Sequence, residues 1–264
     1  MGLIIIKASL VGLAVLLSTL AGRRWGHRLA GWIAGLPIIA GPICAFMAYD
    51  LGADFVQRTA LATLQVVPAI SIFCVTFAWV ARGGSWWRSL AAAYCTYLSV
   101  AYLCQRLPIP SVFPWLQACG FWLWALLGWA GLSRLLPKAE SPHSSLHIPR
   151  SELWARVTFA IALALAIGFG APYLGSAWSG LLLGIPISGS VLPVFTLRLH
   201  SLTATYQVLR GFLLGIFSFI SFFFVLAVGL PYANTPLVFV LGVGFALLSA
   251  RALAGWLSSV NDQS

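Results

Sequence analysis

Nine stretches of about 20 mostly apolar residues follow one another along this chain, and each is long enough to carry an α-helix across the hydrocarbon core of a bilayer. They run approximately over 3–20, 29–49, 56–80, 87–105, 112–134, 153–171, 176–197, 204–229 and 236–257. Composition agrees, with 61% hydrophobic and 8% charged residues against roughly 45–50% and about 25% in soluble domains. A water-soluble core is excluded, and the expected fold is an all-α integral membrane protein. No stretch is polar and long enough to form a separate soluble domain, so residues 1–264 read as one membrane unit.

The cations lie between the spans in a biased way. Loops one, three, five and seven carry Arg23, Arg24 and Arg28, then Arg82 and Arg88, then Arg134, Lys138, Arg150 and Arg156, then Arg198. The opposite loops offer Arg106 as their clearly extramembrane cation. By the positive-inside rule the odd loops are cytoplasmic, the N-terminus is outside and the C-terminus is inside. The same rule accounts for the net charge of +10, so nucleic acid is not an expected partner. The run Leu3 to Leu20 has its arginines after it, which reverses the order of a secretory signal. It reads as a retained spanning helix.

One phrase is written twice. Gly31-Trp32-Ile33-Ala34-Gly35-Leu36-Pro37-Ile38 returns 149 residues later as Gly180-Leu181-Leu182-Leu183-Gly184-Ile185-Pro186-Ile187. Small residues follow in both copies (Ala40 and Gly41; Ser188, Gly189 and Ser190), and then a second proline, Pro42 or Pro193. Proline removes a helix hydrogen bond and crowds the preceding turn, so both spans are expected to break there. The likeness continues to Gln57 beside Arg58 and Gln207 near Arg210, and to the pairs Pro68/Ser218 and Ser99/Ser249. Each copy therefore reads as four helices. Repeat one covers about 1–105, a joining helix and cytoplasmic linker about 106–151, and repeat two about 152–264. The odd joining helix makes the second copy enter the membrane from the opposite side, a 4 + 1 + 4 plan with inverted topology.

Matching broken helices in inverted repeats point to a transporter site near the midplane. The plainer reading is that G-x-x-x-G and proline serve only close helix packing. On the transporter reading the substrate site comprises Pro37, Ala40, Gly41, Pro42, Pro186, Ser188, Gly189, Ser190 and Pro193, with Gln57, Gln207 and Arg210 as further polar candidates. Half-helix N-termini present positive dipole ends that suit an anion. The five acids, Asp50, Asp54, Glu140, Glu152 and Asp262, all lie away from the middle of the spans, which argues against a carrier of metal cations. The expected activity is inner-membrane secondary transport of a small organic anion, in a bacterial cell. A lipid flippase reading the phosphate headgroup, and a non-transporting membrane subunit, are the alternatives.

An enzyme is not expected. His27, His143, His147 and His200 fall in loops or at helix ends, and neither paired carboxylates nor a zinc-ligand cluster appears. The linker from Leu135 to Arg150 holds Pro137, Pro142 and Pro149, which disfavour the helix that an i, i+4 histidine pair would need. Cys44, Cys74, Cys95, Cys104 and Cys119 lie in apolar segments without a C-x-x-C pair. No cofactor or metal is expected; the partners are the lipid bilayer and a small-molecule or lipid cargo, and a homo-oligomer is compatible with the pattern. The run Phe217 to Phe224 and the tryptophans Trp122, Trp124 and Trp129 read as lipid-facing.

Overall fold

The computed structural model describes Ser9, Gly12, Leu13, Leu16 and residues 26–106, 114–137 and 150–261. Among the described residues the chain is helical without a strand. Its helices are α1 (Gly26–Gly35), α2 (Ala40–Leu51), α3 (Ala53–Val80), α4 (Trp86–Arg106), α5 (Pro114–Ser133), α6 (Arg150–Leu183), α7 (Ile187–Leu199), α8 (Leu202–Gly229) and α9 (Thr235–Asn261). A short 3-10 turn, Ala81–Gly83, closes α3. Within α6 the backbone turns at Gly175, whose φ of 78° and ψ of 174° only glycine adopts readily.

Five segments are long and apolar enough to cross a membrane: 29–51, 53–83, 169–199, 202–229 and 235–253. They fall on five of the nine expected spans. The expected spans 87–105, 112–134 and 153–171 coincide with α4, α5 and the first part of α6, which do not meet that standard. The expected span 3–20 lies largely outside the described residues. The expected linker is described only to Pro137 and from Arg150, so His143 and His147 also lie outside them.

α3 and α8 form the centre of the bundle, each buried over 72% of its apolar window, against 22% for α9. This overturns the expected lipid exposure of the Phe217–Phe224 run. Phe219, Ile220, Phe222 and Phe223 are buried, with Phe222 and Phe223 edge to face at 5.3 Å. α8 touches α1, α3, α5, α7 and α9, and a helix so enclosed is apolar all round. The joining helix α5 is likewise a structural strut. Trp124 Nε1 donates to Gln65 O on α3 at 3.0 Å, and Trp129 Nε1 donates to Leu213 O on α8 at 2.5 Å. Trp122 packs on Phe224 with ring centroids 5.2 Å apart. Gly128 rests against the ring of Pro68, where a Cβ would come within 2.5 Å of Cγ. An indole N–H needs a partner away from water, and these carbonyls supply one for Trp124 and Trp129.

One end of the bundle gathers the segments that follow α3, α5 and α7. Trp79 Nε1 donates to Leu135 O at 3.1 Å, and the Arg198 guanidinium lies 5.2 Å from the ring of Trp86. Arg210 donates from Nε to Pro137 O at 2.8 Å and from Nη2 to Leu136 O at 2.9 Å. The planar guanidinium spans two consecutive carbonyls just past α5, a geometry a lysine ammonium cannot copy. Arg210→Ala is expected to cost about 2 kcal/mol, the range for hydrogen bonds to a charged group. Arg210→Lys should recover only part of it. Thermal unfolding in detergent, followed by tryptophan fluorescence, reads both; a melting point unchanged in Arg210→Ala would refute the strut role.

Candidate functional site

Both repeated phrases break their helices in the same manner. In the first, Leu36 N–H turns back to Ile33 O at 3.2 Å and Ile38 N–H closes a three-residue turn on Leu36 O at 2.8 Å, around Pro37. In the second, Ile185 N–H bonds Leu182 O at 3.1 Å and Ile187 N–H bonds Ile185 O at 2.9 Å, around Pro186. Pro186 sits at φ −80° and ψ 67°, an inverse γ-turn. Proline suits its centre because its fixed φ matches and it has no N–H to leave unpaired. The break leaves the last carbonyls of one half-helix and the first amides of the next without intrahelical partners.

Each phrase then packs against the other half of the chain. Gly31 faces the backbone of α8 so closely that a Cβ would collide with Val208 O, and would stand 3.0 Å from Phe212 N. A Cβ at Gly180 would stand 2.8 Å from Thr59 O and 2.9 Å from Thr63 N, on α3. Thr59 and Val208 are separated by the same 149 residues as Gly31 and Gly180, and so are Thr63 and Phe212. The second glycines repeat the relation: Gly35 meets Gly215, and Gly184 meets Val66. Gly12 lies against Ile161, its own partner at that displacement, with a Cβ-to-Cδ1 approach of 3.0 Å.

The two breaks meet at one cavity of about 50 Å³. Leu36, Ile39 and Ala40 line it from the first phrase, and Gly184, Ile185, Pro186, Ile187 and Ser188 from the second. Ala40 opens α2 and Ile187 opens α7, so two helix N-termini border one space. Of the expected site residues, Ala40, Pro186 and Ser188 lie in the lining. Pro37 shapes the first turn and Pro42 is half-buried in α2, both outside it. A Cβ at Gly41 would stand 3.8 Å from the Phe222 ring, and one at Gly189 would stand 2.6 Å from the ring of Phe212. Ser190 is buried and takes part in a hydrogen bond to Tyr94, while Pro193 is buried within α7.

The outlying polar candidates are elsewhere. Gln57 Nε2 donates to Ala227 O at 3.4 Å, Gln207 is half-buried in the second turn of α8 away from the lining, and Arg210 holds the segment after α5. Ile70 from α3, Leu163 from α6 and Phe212, Ile216 and Phe219 from α8 add to the wall. Nothing in the sequence singled these out, because they are apolar residues within apolar runs. The lining therefore offers one hydroxyl, two helix N-termini and hydrocarbon.

Compared with family models, curated proteins and solved structures, the chain matches none. What the site can do must be read from its own chemistry. Among the described residues no three His, Cys, Asp or Glu side chains stand close enough to hold a metal ion, and the lining contains no nucleophile paired with a base.

Proposed function

We propose that this chain is an inner-membrane secondary transporter of a small organic anion, working by alternating access at the two broken helices. The observation that carries this reading is the reciprocal docking of the phrases. Each lies on the third helix of the other half, at positions related by one constant displacement, and both open onto the same cavity. Nine spans arranged 4 + 1 + 4, with the N-terminus outside and the C-terminus cytoplasmic, fit that relation and the distribution of arginines. Exchanging the conformations of two related halves converts an outward-open state into an inward-open one.

The cavity is smaller than the roughly 300–1,000 Å³ of sites that hold a drug-sized ligand. On this reading a cargo enters only when the walls of the cavity move apart. An anionic head is favoured by the N-termini of α2 and α7, and an apolar body by the remaining wall. The flippase alternative loses its main cation, since the Arg210 guanidinium is engaged with the Leu136 and Pro137 carbonyls.

The test is thiol accessibility. With the five native cysteines replaced, single cysteines at Ala40 and Ser188 are expected to react with a membrane-impermeant reagent applied from either side. A cargo pool of small carboxylates should slow that reaction. Silence at both positions from both sides would mean that the prolines are packing kinks alone.

A further inference from the structure

The two broken helices are not held equally. In an unbroken helix Leu181 O would accept from Ile185 N–H, but that amide has turned to Leu182 O. Tyr97 Oη takes the vacated place, donating to Leu181 O at 2.7 Å from a fully buried side chain. One turn away on α4, Tyr94 Oη donates to Ser190 Oγ at 3.0 Å, and Ser190 Oγ donates to Ile187 O at 2.8 Å. Residues three apart share a helix face, so one face of α4 holds the second broken helix on both sides of Pro186.

Among the described residues no tyrosine hydroxyl donates to the first broken helix in this way. At a displacement of 149 the tyrosines correspond to Val243 and Ala246, at the 150 that relates Ser99 to Ser249 they correspond to Gly244 and Leu247, and Gly41 stands in the place of Ser190. Trp32 O, the equivalent of Leu181 O, faces Gly215, where any Cβ would collide with it. That is a van der Waals seat on a glycine and not a donated hydrogen bond.

We propose that Tyr94 and Tyr97 are positioning residues that brace the second broken helix across its break, so that the two halves move unequally during transport. The segment from Ser176 to Leu199 moves as one body with α4, whereas α1 and α2 can change their mutual angle at Pro37. This rests on the transporter reading above. It deepens that reading by assigning the bending break to the first repeat and the rigid one to the second.

The experiment compares labelling at Ala40→Cys and Ser188→Cys with and without Tyr94→Phe and Tyr97→Phe. Phenylalanine keeps the rings, including the edge-to-face contact of residue 94 with Phe73 at 5.1 Å, and removes only the hydroxyls. Loss of both hydroxyls should raise the labelling rate at Ser188→Cys by about tenfold, the scale set by the net worth of two hydrogen bonds. The rate at Ala40→Cys should stay unchanged. A general loss of packing would raise both rates together, and that result, or no change at either, overturns the brace. Silence at both positions in the parent protein overturns the transporter reading instead, and the brace with it. If the double variant does not yield folded protein, each single Tyr→Phe variant is read by the same two rates and decides by the same criterion.

Discussion

Gly31→Val is expected to prevent the bundle from assembling. The new Cβ would occupy the space of Val208 O, and a backbone carbonyl inside a helix cannot swing aside as a side-chain tip can. No side-chain substitution on α8 compensates, because the obstacle is main chain. Overpacking of a close-fitted interior costs typically 1–3 kcal/mol and occasionally more; the approach at Gly31 places this variant at about 3 kcal/mol or above. Small residues at helix crossings matter more in lipid than in water, since van der Waals fit is a main force drawing helices together there. Gly131→Val on α5 is the control, as nothing lies within 4 Å of its Cβ. The check is yield of monodisperse protein in detergent and its melting point. A Gly31→Val variant that melts with the parent would refute the close crossing of α1 and α8.

Phe212→Ala carries the next largest expected loss. Phe212 is 3% exposed, its ring covers Gly189, and its backbone lies under Gly31 and Gly35. Truncating a buried phenylalanine costs about 3–5 kcal/mol, part of it for the void left behind. The void here would join the cavity between the two breaks, so the same substitution that destabilises the protein should widen the site. The expected pair of results is a melting point lowered by about 3 kcal/mol in stability and faster thiol labelling at Ser188→Cys. Phe212→Leu should fall between parent and alanine on both measures. A destabilised variant whose labelling rate is unaltered would show that the ring supports the bundle without bounding the cavity.

How far these features could be read in the sequence depends on the kind of signal each leaves. The broken helices were legible because Pro37 and Pro186 each follow a G-x-x-x-G and sit inside an apolar run, where their effect on the backbone is local. Gly175, which divides the segment before the second phrase, fell between two expected spans for a similar reason. The surroundings of α8 were not legible. A helix such as Phe217–Phe224 that is apolar on every side carries no periodicity to distinguish protein from lipid, and the long-range contacts of Trp124 and Trp129 leave no trace in their own neighbourhood. Arg210 illustrates the remaining difficulty. A charge two turns into an apolar helix signals a partner, and whether that partner is a cargo or the carbonyls of Leu136 and Pro137 depends on a segment more than 70 residues away. The tyrosine brace was missed because Tyr94 and Tyr97 have no counterpart in the second copy, and the search for a repeat draws attention to what recurs.

The exchange of glycine faces between the halves also has a consequence for biosynthesis. Gly31 and Gly35 dock on backbone between Val208 and Gly215, which the ribosome delivers only after most of the chain. Until then α1 stands in the bilayer with its small-residue face uncovered, open to chance association with other helices. Contacts between residues so distant along the chain form late and slowly. The glycine face of α1 is therefore an unfinished interface awaiting α8.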